Sequence, residues 1–157
     1  MNIREDTIRK WFGMWLTAED TGITDIFTED AVYIESWGPE YHGAAAIRHW
    51  FEEWNTRGKV LRWDIRQFFH DRDQTVVEWY FENVMNDGTE ESFDGMSLIR
   101  WAAGEQMCYL QEFGCNRNRY DPYEKGETPR FRNEKAKWFR RHLRESRKKI
   151  WSVKQRF

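Results

Sequence analysis

Glu35 is the residue of this chain best suited to chemistry. It lies in Ala31-Val32-Tyr33-Ile34-Glu35-Ser36-Trp37, a stretch rich in β-branched and aromatic residues that runs into Gly38-Pro39, so the segment reads as a strand ending in a turn. Alternation along a strand puts Tyr33, Glu35 and Trp37 on one face. A carboxyl held between aromatic rings in an apolar cavity has its charged form disfavoured, which raises its pKa and suits it to proton transfer. The competing placement is a strand-end carboxylate in solvent, or one paired with Arg48 or His42. His42, in the loop that follows, offers either a proton shuttle with Glu35 or a solvated turn histidine.

Around that carboxyl the sequence supplies a large aromatic surface. Trp11, Trp15, Trp50, Trp54, Trp63 and Trp79 either line a cavity for a flat aromatic or polycyclic ligand or fill a core. The chain has 10 Trp in 157 residues, and that excess favours a cavity wall, which needs wide side chains with a polar tip. On the last strand Tyr109 and Phe113, with Gln111 between them, are expected to share a face and complete one wall. The four histidines, His42, His49, His70 and His142, show no i, i+4 pair, and Cys108 and Cys115 have no metal-ligand spacing. No glycine-rich phosphate loop is present, and the expectation is a site without metal or cofactor.

The elements that must position these residues follow from periodicity. Ile8, Trp11, Phe12, Trp15 and Leu16 recur at helical spacing behind Asn2 and Glu5, which form a candidate capping box, and predict a helix over about residues 3–18. Ile23, Ile26 and Phe27 predict a short helix ending near Asp30. Ile47, Trp50, Phe51 and Trp54, after Gly43, predict a third helix over about 44–56. The period then changes to that of strands: Val60 to Phe69, Thr75 to Met85, Glu91 to Trp101 and Met107 to Phe113, with Asp87-Gly88 as a hairpin signal. Helices first and a strand meander after them is an α+β order with an antiparallel sheet.

Composition sets outer limits. With 25 Lys plus Arg against 27 Asp plus Glu, 27 aromatic residues and a mean hydropathy of -0.95, the chain fits a soluble fold with one sizeable core, and no run approaches the roughly 20 apolar residues of a membrane span. The start, MNIREDTIRK, lacks the pattern of a signal peptide, and two unpaired-looking cysteines suit a reducing, cytoplasmic setting. Charge is uneven: residues 1–115 hold 10 basic and 22 acidic side chains, residues 116–157 hold 15 and 5. The basic tail is expected to dock on acidic surface of the same or a second copy, with a polyanion as the rival partner. Residues 114–131, with Pro122, Gly126 and Pro129 among Tyr120, Tyr123 and Phe131, are expected to be ordered without regular structure. A basic helix is predicted over 133–150.

The run Ile26-Phe27-Thr28-Glu29-Asp30-Ala31-Val32-Tyr33, followed by Tyr41-His42-Gly43 and the helix start Ala45-Ala46-Ile47-Arg48, resembles the nuclear transport factor 2-like superfamily, in particular its SnoaL-like members. The resemblance covers about residues 3–115. It implies a cone-shaped, curved antiparallel sheet wrapped around the N-terminal helices, with a pocket at the open end, and residues 116–157 as an extension ending in a helix. Against the steroid isomerase branch, Glu35 falls at the carboxylate base. That branch's oxyanion donors, a Tyr on helix one and an Asp on a late strand, fall at Trp11 and Met96. An indole donates one hydrogen bond and a thioether none, so steroid isomerase chemistry is disfavoured. Asp94, two residues earlier, shares the face of Met96 and is the acid a register slip brings in.

These residues lead to one expectation and its rivals. The first is a SnoaL-like protein that binds a small, largely apolar or aromatic molecule, with Glu35 as base for isomerase, dehydratase or cyclase chemistry and Tyr33, Trp37, Trp79, Tyr109 and Gln111 positioning the substrate. The second is a non-catalytic dimeric module. The third, polyanion or nucleic-acid binding through the tail, is disfavoured by Asp121, Glu124 and Glu127 in the basic run. A homodimer through the outer sheet face is expected in either of the first two.

Overall fold

Asn2 starts the first helix, α1 (Ile3–Thr17), by accepting the Arg4 N–H on its side-chain oxygen at 3.1 Å. Glu5 receives the Asn2 side-chain amide rather than a backbone N–H, so the predicted capping box is only half made. The helix ends where Ala18 turns left-handed and its N–H reaches the Met14 carbonyl. Asp20 then accepts the Gly22 and Ile23 N–H groups, both at 2.8 Å, and so begins the one-turn helix α2 (Ile23–Ile26).

The computed structural model describes residues 1–132, and the chain divides into two units, Met1–Arg117 and the part from Asn118 onward. In the first unit α2 passes directly into β1 (Phe27–Ile34), followed by β2 (Glu40–His42), α3 (Ala44–Trp54), β3 (Gly58–Asp71), β4 (Gln74–Met85), β5 (Glu90–Trp101) and β6 (Met107–Asn116). Two boundaries differ from expectation. Phe27 opens a strand instead of continuing a helix, and the strand stops at Ile34, because the Glu35 N–H bonds the Pro39 carbonyl and Gly38 takes φ 124°, reversing the chain before Trp37. The segment read as a loop after Pro39 contains the short strand β2.

The six strands form one curved open sheet in the order β2-β1-β6-β5-β4-β3. It is antiparallel throughout except where β1 lies parallel to β6, with Tyr33 beside Leu110 and Ile34 beside Gln111. Gly43 lets α3 leave β2 tightly: its φ is 91°, its N–H bonds the Ala31 carbonyl, and a Cβ there would meet the Glu29 carbonyl oxygen at 2.8 Å. The helices cover the concave side of the sheet, and the core lies between them. Ile8, Trp11, Trp15, Ile47 and Phe51 from the helices meet Tyr33, Trp63, Trp79, Ile99 and Leu110 from the strands.

The second unit is described from Asn118 to Arg132. It is closed on itself by an Asp121 side-chain bond to the Tyr123 N–H, by Arg130 N–H to the Pro122 carbonyl, and by Arg132, whose N–H donates to the Tyr120 hydroxyl while its guanidinium lies 4.6 Å from that ring. The basic helix predicted over 133–150 lies outside the described residues.

Candidate functional site

Where β1 runs out, two acids stand side by side. Continuing the parallel ladder one step beyond Ile34 and Gln111 brings Glu35 next to Glu112, and like charges on neighbouring strands repel. Glu35 accepts the Tyr41 hydroxyl at 2.5 Å and the Trp37 indole N–H at 2.7 Å. Glu112 accepts the Tyr33 hydroxyl and the backbone N–H of Ser36. Among the described residues neither carboxyl makes an ion pair with a cationic side chain.

The electrostatics follow from that setting. Burial pushes Glu112 up to about 8, against the Tyr33 and Ser36 donors and with the help of the Glu35 charge. Burial also raises Glu35, but Tyr41 and Trp37 both donate to its charged form and oppose the rise. The phenols answer in kind: desolvation lifts Tyr33 and Tyr41 above the usual tyrosine range, and the neighbouring carboxylates add to it. Burial thus favours the neutral form of both carboxyls, opposed at Glu35 by the Tyr41 and Trp37 donors and the Arg57 charge, and the two titrate as a coupled pair.

The expected site residues divide by face. Tyr33 and Glu35 point to the concave side as alternation requires, with Tyr33 fully buried. Trp37 sits on the turn, 47% exposed, yet still reaches Glu35 through its indole N–H. His42 is a correction: it is exposed on β2 and pairs with Glu40 at 3.0 Å instead of Glu35. Arg48, the other expected partner of Glu35, binds Asp20 and Glu52.

Tyr109, Gln111 and Phe113 are corrected as well, since all three lie on the outer face. Trp101 pairs with Met107 and Arg100 with Tyr109, so Cys108 is an extra residue between two rungs of the β5–β6 ladder. This bulge inverts the alternation that follows it. Leu110, Glu112 and Gly114 turn inward, while Tyr109 lies under the Arg100 guanidinium at 4.8 Å and bonds Gln111. Met96 is Phe113's register partner on that outer face, and the two are 43% and 52% exposed. Asp94 shares their face and pairs with Arg66 and Arg117, so no one-residue slip is needed or made. The inward acid is Glu112, which sequence reading missed because alternation alone assigns it outward.

The tryptophans pack ring against ring rather than around an open wall. Trp11 and Trp15 lie edge to face at 5.6 Å, Trp15 contacts Trp50 and Trp54 at 4.8 and 5.4 Å, and Trp63 stacks on Phe12 at 4.0 Å. Trp79 lies over Gly95, where a Cβ would come within 2.3 Å of its ring, and donates to Ser97 at 2.9 Å. Trp50 and Trp54 stay half-buried, as do Tyr41, Phe81 and Phe93 around them. The indole N–H groups of Trp11, Trp15 and Trp63 are buried without a hydrogen-bond partner among the described residues. Trp11 aims its N–H toward the Tyr33 hydroxyl, at a geometry short of a bond.

No group of three or more His, Cys, Asp or Glu among the described residues is placed to hold a metal ion, and no helix among them is long and apolar enough to cross a membrane. A wide-open depression of about 580 Å³ lies at the other end of the sheet between the start of α1, His70 and Glu105.

Comparison with known proteins gives the context for this geometry. The sequence profile of the SnoaL-like domain matches residues 8–108. Among solved structures, a hypothetical protein from Catenulispora acidiphila with a ketosteroid isomerase-like fold, in complex with trimethylamine, is 17% identical with a TM-score of 0.59, over 68% of this chain and 83% of its own. A candidate polyketide cyclase from Xanthomonas campestris is 13% identical with a TM-score of 0.58, over 70% and 88%. TerC co-crystallized with polyporic acid is 15% identical with a TM-score of 0.57, over 71% and 91%. At these identities the likeness shows a common fold. No curated protein sequence matches the chain.

Proposed function

The chain belongs to the SnoaL-like domain family, and from that premise we propose that it binds a small, largely apolar molecule and moves a proton on it without a cofactor. The observation that carries this reading is the coupled pair of inward carboxyls, Glu35 and Glu112, which have phenol and indole donors and make no ion pair among the described residues, with Arg57 acting on Glu35 only from a distance. A fold with no use for proton transfer gains nothing from two desolvated acids in adjacent positions. Two structural neighbours carry small molecules, trimethylamine in one and polyporic acid in the other, which supports small-molecule binding by this fold.

The roles follow from which acid keeps its proton. Glu35, whose charged form Tyr41 and Trp37 support, takes a proton from a carbon next to a carbonyl. Glu112, neutral at pH 7, donates to the oxygen on which charge then develops, and the Tyr33 hydroxyl steadies Glu112. Trp37, exposed on the turn and tied to Glu35, offers its ring to the substrate. Trp11, at the oxyanion-donor position that the resemblance implies, stands behind Tyr33 and acts through it.

The test uses a ketone with acidic α-protons, 2-tetralone, in D2O, with exchange followed by proton NMR. Wild type is expected to speed α-proton exchange above the buffer rate, Glu35→Gln to lower that gain by about 10²–10⁴-fold, and Glu112→Gln by about 10²-fold. Exchange at the buffer rate in wild type, together with ordinary carboxylate titration of both groups by carbon NMR, overturns the reading.

A second reading, the non-catalytic module, has its own observation: the tryptophans fill the concave side ring to ring. Both readings share a proposed homodimer, in which a second copy covers Met96 and Phe113 on the outer sheet face. Sedimentation at micromolar concentration tests it, and a monomer of the wild-type chain removes it.

A further inference from the structure

Each oxygen of the Glu35 carboxyl already holds a donor: Oε1 accepts the Tyr41 hydroxyl at 2.5 Å and Oε2 the Trp37 indole N–H at 2.7 Å. Both bonds favour the charged carboxylate, so both make it a weaker base. The two donors are held in different ways. Tyr41 is half-buried on β2, with its ring stacked on Trp50 at 4.5 Å and 14°. Trp37 is 47% exposed on the turn and reaches Oε2 from the solvent side.

The backbone on either side of Trp37 is pinned. The Glu35 N–H bonds the Pro39 carbonyl at 2.9 Å, the Gly38 N–H bonds the Glu35 carbonyl at 3.1 Å, and the Ser36 N–H bonds the Glu112 carboxyl. A Cβ built on Gly38 would meet nothing within 4 Å, so the turn borders open space. What can move here is the Trp37 side chain, since an exposed residue changes rotamer within picoseconds to nanoseconds while the turn beneath it stays in place.

We propose that the Trp37 side chain is a gate on Glu35: closed, its N–H caps Oε2; open, the indole swings out and leaves Oε2 to the substrate, with the Tyr41 hydroxyl kept on Oε1 as the fixed donor. In the open state the C–H bond next to the substrate carbonyl breaks, its proton joins Oε2, and its electron pair passes to the carbonyl oxygen, which receives the Glu112 proton. This rests on the proton-transfer reading above and adds a positioning residue to it, because Trp37 acts through Glu35. The charged and titratable groups that act on Glu35 or feel its charge are Tyr33 on β1, Tyr41 on β2, Glu91 on β5, Glu112 on β6 and Arg57 after α3. Trp37→Phe removes the indole bond and alters none of these charges.

The experiment follows full-length wild type, 15N-labelled at tryptophan, and the variants Trp37→Phe and Tyr41→Phe across pH 4–9, by NMR and by 2-tetralone exchange in D2O. In wild type the Trp37 indole proton is expected to move upfield as Glu35 takes its proton at low pH, and to move upfield again when 2-tetralone is added at neutral pH. In Trp37→Phe the rise of exchange with pH is expected to shift to higher pH, because the charged form has lost a donor, and the plateau to stand about threefold above wild type. Tyr41→Phe, which removes the fixed donor, is expected to shift the profile the same way with a plateau at or below that of wild type. An indole signal that ignores both pH and 2-tetralone, or a Trp37→Phe plateau no higher than those of wild type and Tyr41→Phe, overturns the gate, and Glu35-dependent exchange in wild type then leaves the proton-transfer reading standing. Exchange at the buffer rate in wild type that rises in Trp37→Phe supports the gate. Exchange at the buffer rate in both removes the proton-transfer reading, and the gate with it.

Discussion

The two ends of the sheet are built to opposite rules. At the end where α1 begins, Arg4 binds Glu105 and the Arg72 carbonyl and lies over Trp101, Glu5 bonds His70, His70 bonds Thr75, and Thr75 accepts the Trp101 indole N–H. Each of these polar groups has a partner. Toward the end where β1 runs out, two carboxyls share a neighbourhood without an ion pair, and the indole N–H groups of Trp15 and Trp63 lie buried without a hydrogen-bond partner among the described residues. The contrast separates what the fold needs from what it tolerates, since unsatisfied or strained groups persist where the rest of the structure over-determines them.

The largest expected effect tests the rigid middle on which both ends depend. Gly95→Ala drives a Cβ into the Trp79 ring, which is fully buried and tied to Ser97, and is expected to destabilise by about 3 kcal/mol in urea unfolding, the upper part of the overpacking range. A loss below about 1 kcal/mol means that Trp79 has room to move and the contrast between the ends is less sharp.

Next is the pairing of Trp101→Phe with Trp63→Phe. The first removes a satisfied donor from Thr75 and is expected to lower stability by about 1–3 kcal/mol; the second removes an orphan and is expected to leave stability unchanged or raise it. Equal losses by thermal melting erase the distinction.

Glu112 sets a pH sign. The unfolded chain ionises this group near 4.5, while the folded protein holds its proton to about 8. The folded state thus binds more protons between those values, and its contribution to stability falls as pH rises from about 4.5 to about 8, then levels. Glu112→Gln is expected to flatten that slope and to stabilise the protein by about 1–2 kcal/mol at pH 8. Glu105 at the other end has the reverse sign: its bond to Arg4 holds its carboxyl below the usual range, so its contribution is present above pH 4.5 and is lost as pH falls through the lowered value. Denaturant midpoints across pH 4–9 show both slopes.

The smallest effect is that of Arg4→Ala. It opens a partly exposed pair, so the expected result is a small Tm loss that shrinks at high salt and leaves 2-tetralone exchange unchanged. A large loss shows that the clasp at this end carries more of the fold than surface ion pairs do.

How far the sequence could be read depends on whether local pattern or ladder geometry decides. Ile8, Trp11, Phe12 and Trp15 have one period and one answer, and Asp87-Gly88 has one turn to make, so α1 and the β4–β5 hairpin were legible. The Tyr33 and Glu35 face was legible for the same reason, and it ends where Gly38 reverses the chain before Trp37. The missed acid, Glu112, and the misplaced Tyr109, Gln111 and Phe113 share one cause. Alternation counted from Met107 is right only if every residue occupies a rung, and Cys108 does not. The partners of Asp94 were hidden for another reason: Arg66 and Arg117 reach it across the sheet, which one-dimensional spacing does not encode, whereas Glu40 lies two residues from His42 on the same strand and was within reach of local reading.

The bulge at Cys108 also bears on how such a site changes in evolution. Deleting this single residue lets Met107 and Tyr109 keep their present partners on adjacent rungs, so every side chain beyond it keeps its face and Glu112 stays inward. Absorbing Cys108 into a rung with the chain length unchanged turns the rest of the last strand over: Gln111 comes to face the concave side, Glu112 faces out, and the fully buried Leu110 leaves the core. The core therefore guards the inward acid against a slip, because the same register that buries Leu110 is the one that presents Glu112.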